Sequence, residues 1–197
     1  MTAHAAQNDL ELWLIRHGET AWTQSGQHTG RTDIPLTDNG RRQAEQLQPL
    51  LARQDFQRVL CSPLQRAWET CRLAGLGDQA EREPDLMEWN YGIYEGRTTA
   101  DIRRDVPGWS VWDSPIPQGE DLAAIQTRAL ALIGRLAGMH GRIALFAHAH
   151  ILRVLAGCWI GDNARLGAHL VLNTATVSRL GFERDCRAIL QWNAGPG

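Results

Sequence analysis

The 197-residue chain contains no lysine: all 20 of its basic residues are arginine. This absence rules out Schiff-base catalysis through a lysine amine, and a phosphate loop of the GxxxxGK(S/T) type. What remains is arginine, whose planar fork of N–H donors matches phosphate and carboxylate oxygens. Cysteine is scarce as well. Cys61, Cys71, Cys158 and Cys186 show no CxxC or other ligand spacing, the pattern of reduced thiols rather than of disulfides or a zinc site. Net charge is nearly absent, at −2, which removes the electrostatic case for nucleic acid or an anionic membrane as partner. The opening MTAHAAQND has neither the basic residues nor the apolar stretch of a secretory signal, and no run is long enough to cross a bilayer. The expectation is a cytoplasmic protein. There is no internal repeat or low-complexity linker, and 43% of residues are hydrophobic. One domain over residues 1–197, built on one substantial core, is therefore expected.

Against these absences stand several short apolar runs. LELWLI places Leu10, Leu12 and Leu14 on one face and Trp13 and Ile15 on the other, as in a strand covered on both sides. RVLCS and RIALFAH are two more. Between them lie helical patterns. Thr37 is a cap for a helix through Ala44, Leu47 and Leu51, with Pro49 predicting a kink or early end. Ser62-Pro63 reads as a helix start. Leu122 to Leu136 and Ile151 to Trp159 are longer amphipathic segments. Strands alternating with such helices predict an α/β three-layer sandwich with a mostly parallel central sheet and helices on both faces. Thr176 to Phe182 and Ala188 to Trp192 predict an antiparallel edge pair. Two polar or proline-bearing stretches, Ser25 to Thr37 and Val106 to Gly119, are too long for mere connectors and suit loops that line or cover a site. The second belongs to a loop and helical cap segment expected around residues 89–120.

Ligands of parallel α/β sheets sit beyond the C-terminal strand ends. The first predicted strand delivers Arg16 and His17 there. The second delivers Ser62 and, one helical turn on, Arg66; the third delivers His148 and His150. Singly, each has an ordinary structural reading. Together, two arginines and two histidines at one sheet edge make a pocket for a dianion.

Four segments in order, LIRHGET, SPLQRAWET, EWNYGIYEG and FAHAHILR, resemble the histidine phosphatase, or phosphoglycerate mutase-like, superfamily. The resemblance runs from about Leu10 to Asn173. The loop WTQSGQHTGRTDIPLT and the stretch FAHAHILRVLAGCWIG are most similar to sedoheptulose-bisphosphatase-like phosphatases. What this implies is a phosphatase without cofactor or metal. His17 is the implied nucleophile; Arg16, Arg66 and His148 surround the phosphoryl oxygens; Glu88 is the implied proton donor. Further substrate contacts fall on Thr23, Thr29, Gly30, Tyr91 and Ala149, with His28 and His150 facing a second phosphate or a sugar hydroxyl. Thr23 stands where asparagine is common, and Ala149 where glycine is usual. The partner expected is a small phosphorylated metabolite, a sugar phosphate or bisphosphate; monomer and homo-oligomer are both compatible with the sequence. A phosphoglycerate mutase is the alternative, made less favourable by the moderate length of Arg97 to Gln118. Two further readings are a metal-dependent hydrolase using His17, His148, His150 and Asp33, and a non-catalytic phospholigand-binding module.

Overall fold

The protein is described by a computed structural model covering residues 9–195. Six strands form one sheet: β1 (Glu11–Arg16), β2 (Phe56–Cys61), β3 (Ala80–Arg82), β4 (Arg142–Ala147), β5 (Val177–Glu183) and β6 (Cys186–Ala194), in the order β3-β2-β4-β1-β5-β6. The first four in that order are mutually parallel, while β5 runs antiparallel to β1 and β6 to β5. The helices are α1 (Ala21–Ser25), α2 (Asp38–Gln46), α3 (Gln48–Leu51), α4 (Gln65–Leu73), α5 (Thr99–Asp105), α6 (Leu122–Leu136) and α7 (Ala149–Gly161).

The alternation along β1 divides the core as the sequence predicts. Leu10, Leu12 and Leu14 pack with Leu145 and with Ile125 and Leu132 of α6 and Leu152 and Leu155 of α7. Trp13 and Ile15 face the other way, joining Phe146, Leu51 of α3, and Ala67 and Cys71 of α4. The sheet is thus buried on both faces, and each aliphatic side chain withdrawn from water contributes about 1.5–3 kcal/mol. Asp121 caps α6, accepting from the Ala124 N–H at 2.7 Å, so the helix enters its packed face with an orphan amide satisfied. Pro49 divides α2 from α3 by sitting in the first turn of α3, where a missing N–H breaks no bond.

Three features differ from the sequence reading. The short edge strand β3 was not anticipated. Helix α4 begins at Gln65 rather than at Ser62, because the Ser62 hydroxyl meets His148 Nε2 at 2.8 Å and accepts from the Leu64 N–H at 3.4 Å. His148 and His150 do not alternate on a strand: β4 stops at Ala147, His148 is the N-cap of α7, and His150 lies in its first turn.

Segment 89–120 folds onto the α6–α7 side of the core, burying Trp89, Tyr91, Tyr94, Trp109 and Trp112. The 25–37 loop is tied to it through His28 N–H to Arg97 O and Gly96 N–H to His28 O, both 2.9 Å, and through a Gln27–Thr98 bridge. The two long loops therefore meet over the C-terminal edge of the sheet.

Candidate active site

Strand register brings the charged residues together. Arg16 lies opposite Ala147 and Cys61 opposite Phe146, so β1, β2 and β4 end level. The pairing continues one residue further, with His17 N–H to Ala147 O at 3.0 Å and Ser62 N–H to Phe146 O at 2.9 Å. His17, Ser62 and His148 therefore follow the three strand ends side by side.

His17 is 3% exposed, and its Nδ1 lies 2.7 Å from the Gly18 carbonyl. A carbonyl only accepts, which assigns the ring proton to Nδ1 and leaves the Nε2 lone pair available. Burial, then the charges of Arg66 and Arg16, hold the His17 pKa well below the usual imidazole range, so the ring is neutral at physiological pH. The Gly18 N–H donates to Thr70 Oγ1 at 3.0 Å, fixing the turn against α4.

Both guanidinium groups are anchored by carbonyls and keep a donor in reserve. Arg16 Nη1 donates to Leu172 O at 2.5 Å. Burial lowers its pKa to about 10, partly offset by Glu88, and it stays charged. Arg66 is wholly buried; its Nη1 donates to Thr32 O at 3.1 Å and its Nη2 to Gly30 O at 2.9 Å and Thr29 O at 3.2 Å. Among the described residues, Nε of Arg16, Nε of Arg66 and Nδ1 of His148 are buried without a protein partner. Buried polar atoms are otherwise almost always paired, so three orphaned groups of this kind beside one imidazole suit an acceptor-rich anion. His148 is itself held neutral, by burial and then by Arg66, His17 and Arg16, with its ring centroid 5.1 Å from that of His17.

Glu88, 4% exposed, rests on the start of α7. Its Oε2 accepts from the His150 N–H and its Oε1 from the Ile151 and Trp89 N–H groups, all at 2.9 Å. The amides at a helix N-terminus have no intrahelical partners, so α7 positions this carboxylate with groups it could not otherwise use.

Arg16, His17, Glu88 and Tyr91 line one cavity of about 190 Å³, and Thr23, His28, Thr29, Ala149 and His150 complete its wall. Gly30 is buried against Arg66; a Cβ there would fall 2.3 Å from Glu95 Oε1 and 2.6 Å from Trp89 O. Thr23 serves first as a capping residue, its hydroxyl donating to Thr20 O at 2.8 Å. Tyr91 Oη meets His150 Nδ1 at 2.6 Å, and His28 Nε2 meets Thr99 Oγ1 at 3.1 Å. Both imidazoles stay neutral: burial brings His28 to about 4, and burial followed by Arg153 holds His150 well below the usual imidazole range.

Sequence reasoning did not single out Thr70, the Leu172 carbonyl or Glu95. None carries a local signal, since each acts on residues between 52 and 156 positions away. Asp33, weighed as a metal ligand, instead accepts from the Gln65 N–H at 2.9 Å and lies 3.9 Å from Arg66. Among the described residues no group of three or more His, Cys, Asp or Glu side chains is placed to hold a metal ion, and no helix is long and apolar enough to cross a membrane.

The chain is similar in sequence and in fold to several known proteins. The chain is 40% identical over 182 residues to an acid phosphatase of Mycobacterium tuberculosis, covering 90% of this chain and 89% of that protein. It is 33% identical over 181 residues to sedoheptulose 1,7-bisphosphatase of Saccharomyces cerevisiae, covering 75% and 66% respectively. The solved structure of an open reading frame from Mycobacterium tuberculosis superposes with a TM-score of 0.89 at 36% identity, covering 95% of this chain and 98% of the other. The family model of the histidine phosphatase superfamily, branch 1, matches residues 12–195, from the second residue of β1 to just past the end of β6. The chain belongs to that superfamily and is a hydrolytic phosphatase.

Proposed function

We propose that the enzyme hydrolyses phosphate monoesters of small hydroxylated metabolites in the cytoplasm, sugar phosphates and bisphosphates among them, through a phosphohistidine on His17. The observation that carries this is the neutral His17 ring, its Nδ1 tied to Gly18 O at 2.7 Å, beside two arginines that each retain an unpartnered Nε.

In the first step Nε2 attacks phosphorus and an Nε2–P bond forms as the ester P–O bond breaks. The leaving oxygen takes a proton from Glu88. Water then forms a new P–O bond, the N–P bond breaks, and Glu88 recovers a proton from that water. Oε2 of Glu88 accepts one amide where Oε1 accepts two, which makes Oε2 the oxygen to carry the proton. Arg16, Arg66 and His148 stabilise the equatorial oxygens, each preorganised donor contributing on the order of 3 kcal/mol.

A second cavity, about 250 Å³, shares His28 and His150 with the first and is walled by Trp109 and Trp112. It is the natural place for the part of the ester beyond the phosphate. Trp109 and Trp112 thus pack in the core and also form part of the wall of this second cavity.

Phosphate release should be measured across sugar mono- and bisphosphates, with chelator present. His17→Ala is expected to lower kcat by about 10⁴-fold or more. Glu88→Gln should cost about 10²–10⁴-fold on an alkyl phosphate and much less on an aryl ester whose leaving group needs no proton. Full turnover by His17→Ala would end the phosphohistidine reading. Rapid isomerisation of 3-phosphoglycerate in the presence of 2,3-bisphosphoglycerate, without phosphate release, would make the enzyme a mutase instead.

A further inference from the structure

We infer that Glu95 is a positioning residue for the phosphoryl-binding Arg66, acting through the backbone of the 29–32 loop. The inference rests on the role just proposed for Arg66.

The 29–32 loop lies between an anion and a cation that never touch. On one side the Glu95 carboxylate accepts from the Arg31 N–H at 2.6 Å, from the Thr32 N–H at 2.8 Å and from the Thr32 hydroxyl. On the other, Arg66 donates to the carbonyls of Thr29, Gly30 and Thr32. One peptide unit carries the link directly: between Gly30 and Arg31, the N–H points to Glu95 and the C=O to Arg66. A carboxylate on the amide end and a guanidinium on the carbonyl end both align with that peptide's dipole, and such hydrogen bonds strengthen one another. Burial lowers the Arg66 pKa, and Glu95 is among the anions that oppose this, after Glu88 and Asp33.

The close fit has a cost written into the sequence. Glycine at position 30 leaves room for this arrangement: a Cβ there would fall 2.6 Å from the Trp89 backbone carbonyl and 2.3 Å from Glu95 Oε1, so a larger residue would displace the carboxylate as well as press on the backbone. Arg66 is wholly buried, and its Nη atoms are directed by this loop while Nε alone is left without a protein partner. The orientation of that remaining donor follows from where the three carbonyls sit. Those carbonyls sit where Glu95 holds their amides. Glu95 itself is absent from the cavity wall, so its effect on the reaction is indirect.

The test is a double-mutant cycle between Glu95→Gln and Arg66→Gln, read by the inhibition constants of vanadate and inorganic phosphate and by kcat/KM. A glutamine at 95 keeps the shape but replaces one acceptor by a donor facing an N–H. Glu95→Gln is expected to weaken vanadate binding and lower kcat/KM by about 10–100-fold while Arg66 is present, and to change either by less than about threefold once Arg66 is glutamine. A loss of the same factor in both backgrounds, or no loss with Arg66 present, overturns the inference. If Arg66→Gln alone leaves vanadate binding intact, the phosphoryl-binding role of Arg66 fails as well, a different outcome from failure at Glu95 only. Thr32→Ala, at an exposed position, removes one of the three contacts without altering the carboxylate. It should give a smaller loss of the same kind, again only when Arg66 is present, and so covers the case in which Glu95→Gln does not fold.

Discussion

His148 shows how much of this chemistry depends on single protons. Its Nε2 faces the Ser62 hydroxyl at 2.8 Å, and that hydroxyl already accepts from the Leu64 N–H. The hydroxyl proton is then free to point at Nε2, and in that arrangement the imidazole proton sits on Nδ1, which among the described residues is buried without a protein partner. A donor at Nδ1 is what an anion beside His17 requires. Replacing Ser62 by alanine should release the tautomer and lower kcat/KM by roughly tenfold, with about 1 kcal/mol lost from stability; steady-state kinetics and a urea titration on the same preparation check both. Unchanged kinetics would show that Ser62 serves the fold alone. At the same scale the environments of His17 and Glu88 suit the two roles proposed for them: one ring is kept neutral by burial and two cations, and one carboxylate is held by three amides.

Between elements, the site depends on backbones that approach more closely than side chains permit. Gly18, just after β1, and Gly40, in α2, face each other: a Cβ on Gly18 would lie 2.3 Å from Gly40 O, and one on Gly40 would lie 2.1 Å from Glu19 O. Both contacts are with backbone and cannot be relieved by a rotamer change. Gly40→Ala is therefore expected to cost about 1–3 kcal/mol and to lower activity together with stability, because the Gly18 carbonyl that orients His17 must move with the turn. Differential scanning calorimetry and kcat, measured in parallel, test this. A variant with lowered Tm and unchanged kcat would show that α2 can shift without disturbing β1. Helix α7 contributes in another way, since its first free amides hold Glu88 while its N-cap is His148. Arg128 of α6 completes the support by donating to the carbonyls of Asp85 and Met87, both at 2.7 Å, just before Glu88 in the chain.

For the whole molecule, burying neutral imidazoles couples folding to pH. His17 and His148 have pKa values depressed in the folded state, while in the unfolded chain each titrates near about 6.5. The unfolded state therefore binds more protons below that pH, and stability is full above it and falls as the solution is acidified. The slope is about 1.4 kcal/mol per pH unit for each imidazole that stays unprotonated when folded. Urea midpoints should be level from about pH 8 to about 7 and drop steadily below about 6.5. His28 and His150, depressed in the same way, add to that slope, and a midpoint constant down to about pH 5 would mean that these rings take up protons without unfolding.

Much of the fold and the principal chemistry could be read from residue order. Alternation in LELWLI separates two core faces, Pro49 marks the break between helices, and the polar residues after each apolar run announce where the strands end. These are local patterns with periods of two or about four residues, and local sterics enforce them. Other features are contacts between distant positions. Level strand ends bring His17 beside His148, 131 residues away in the numbering, and α7 begins early enough to take His150 off the strand. Glu95 reaches the amides of a loop more than 60 residues earlier. Hydrogen bonds of that range have no periodicity to betray them, because their partners are chosen by how the sheet and its two covering layers pack.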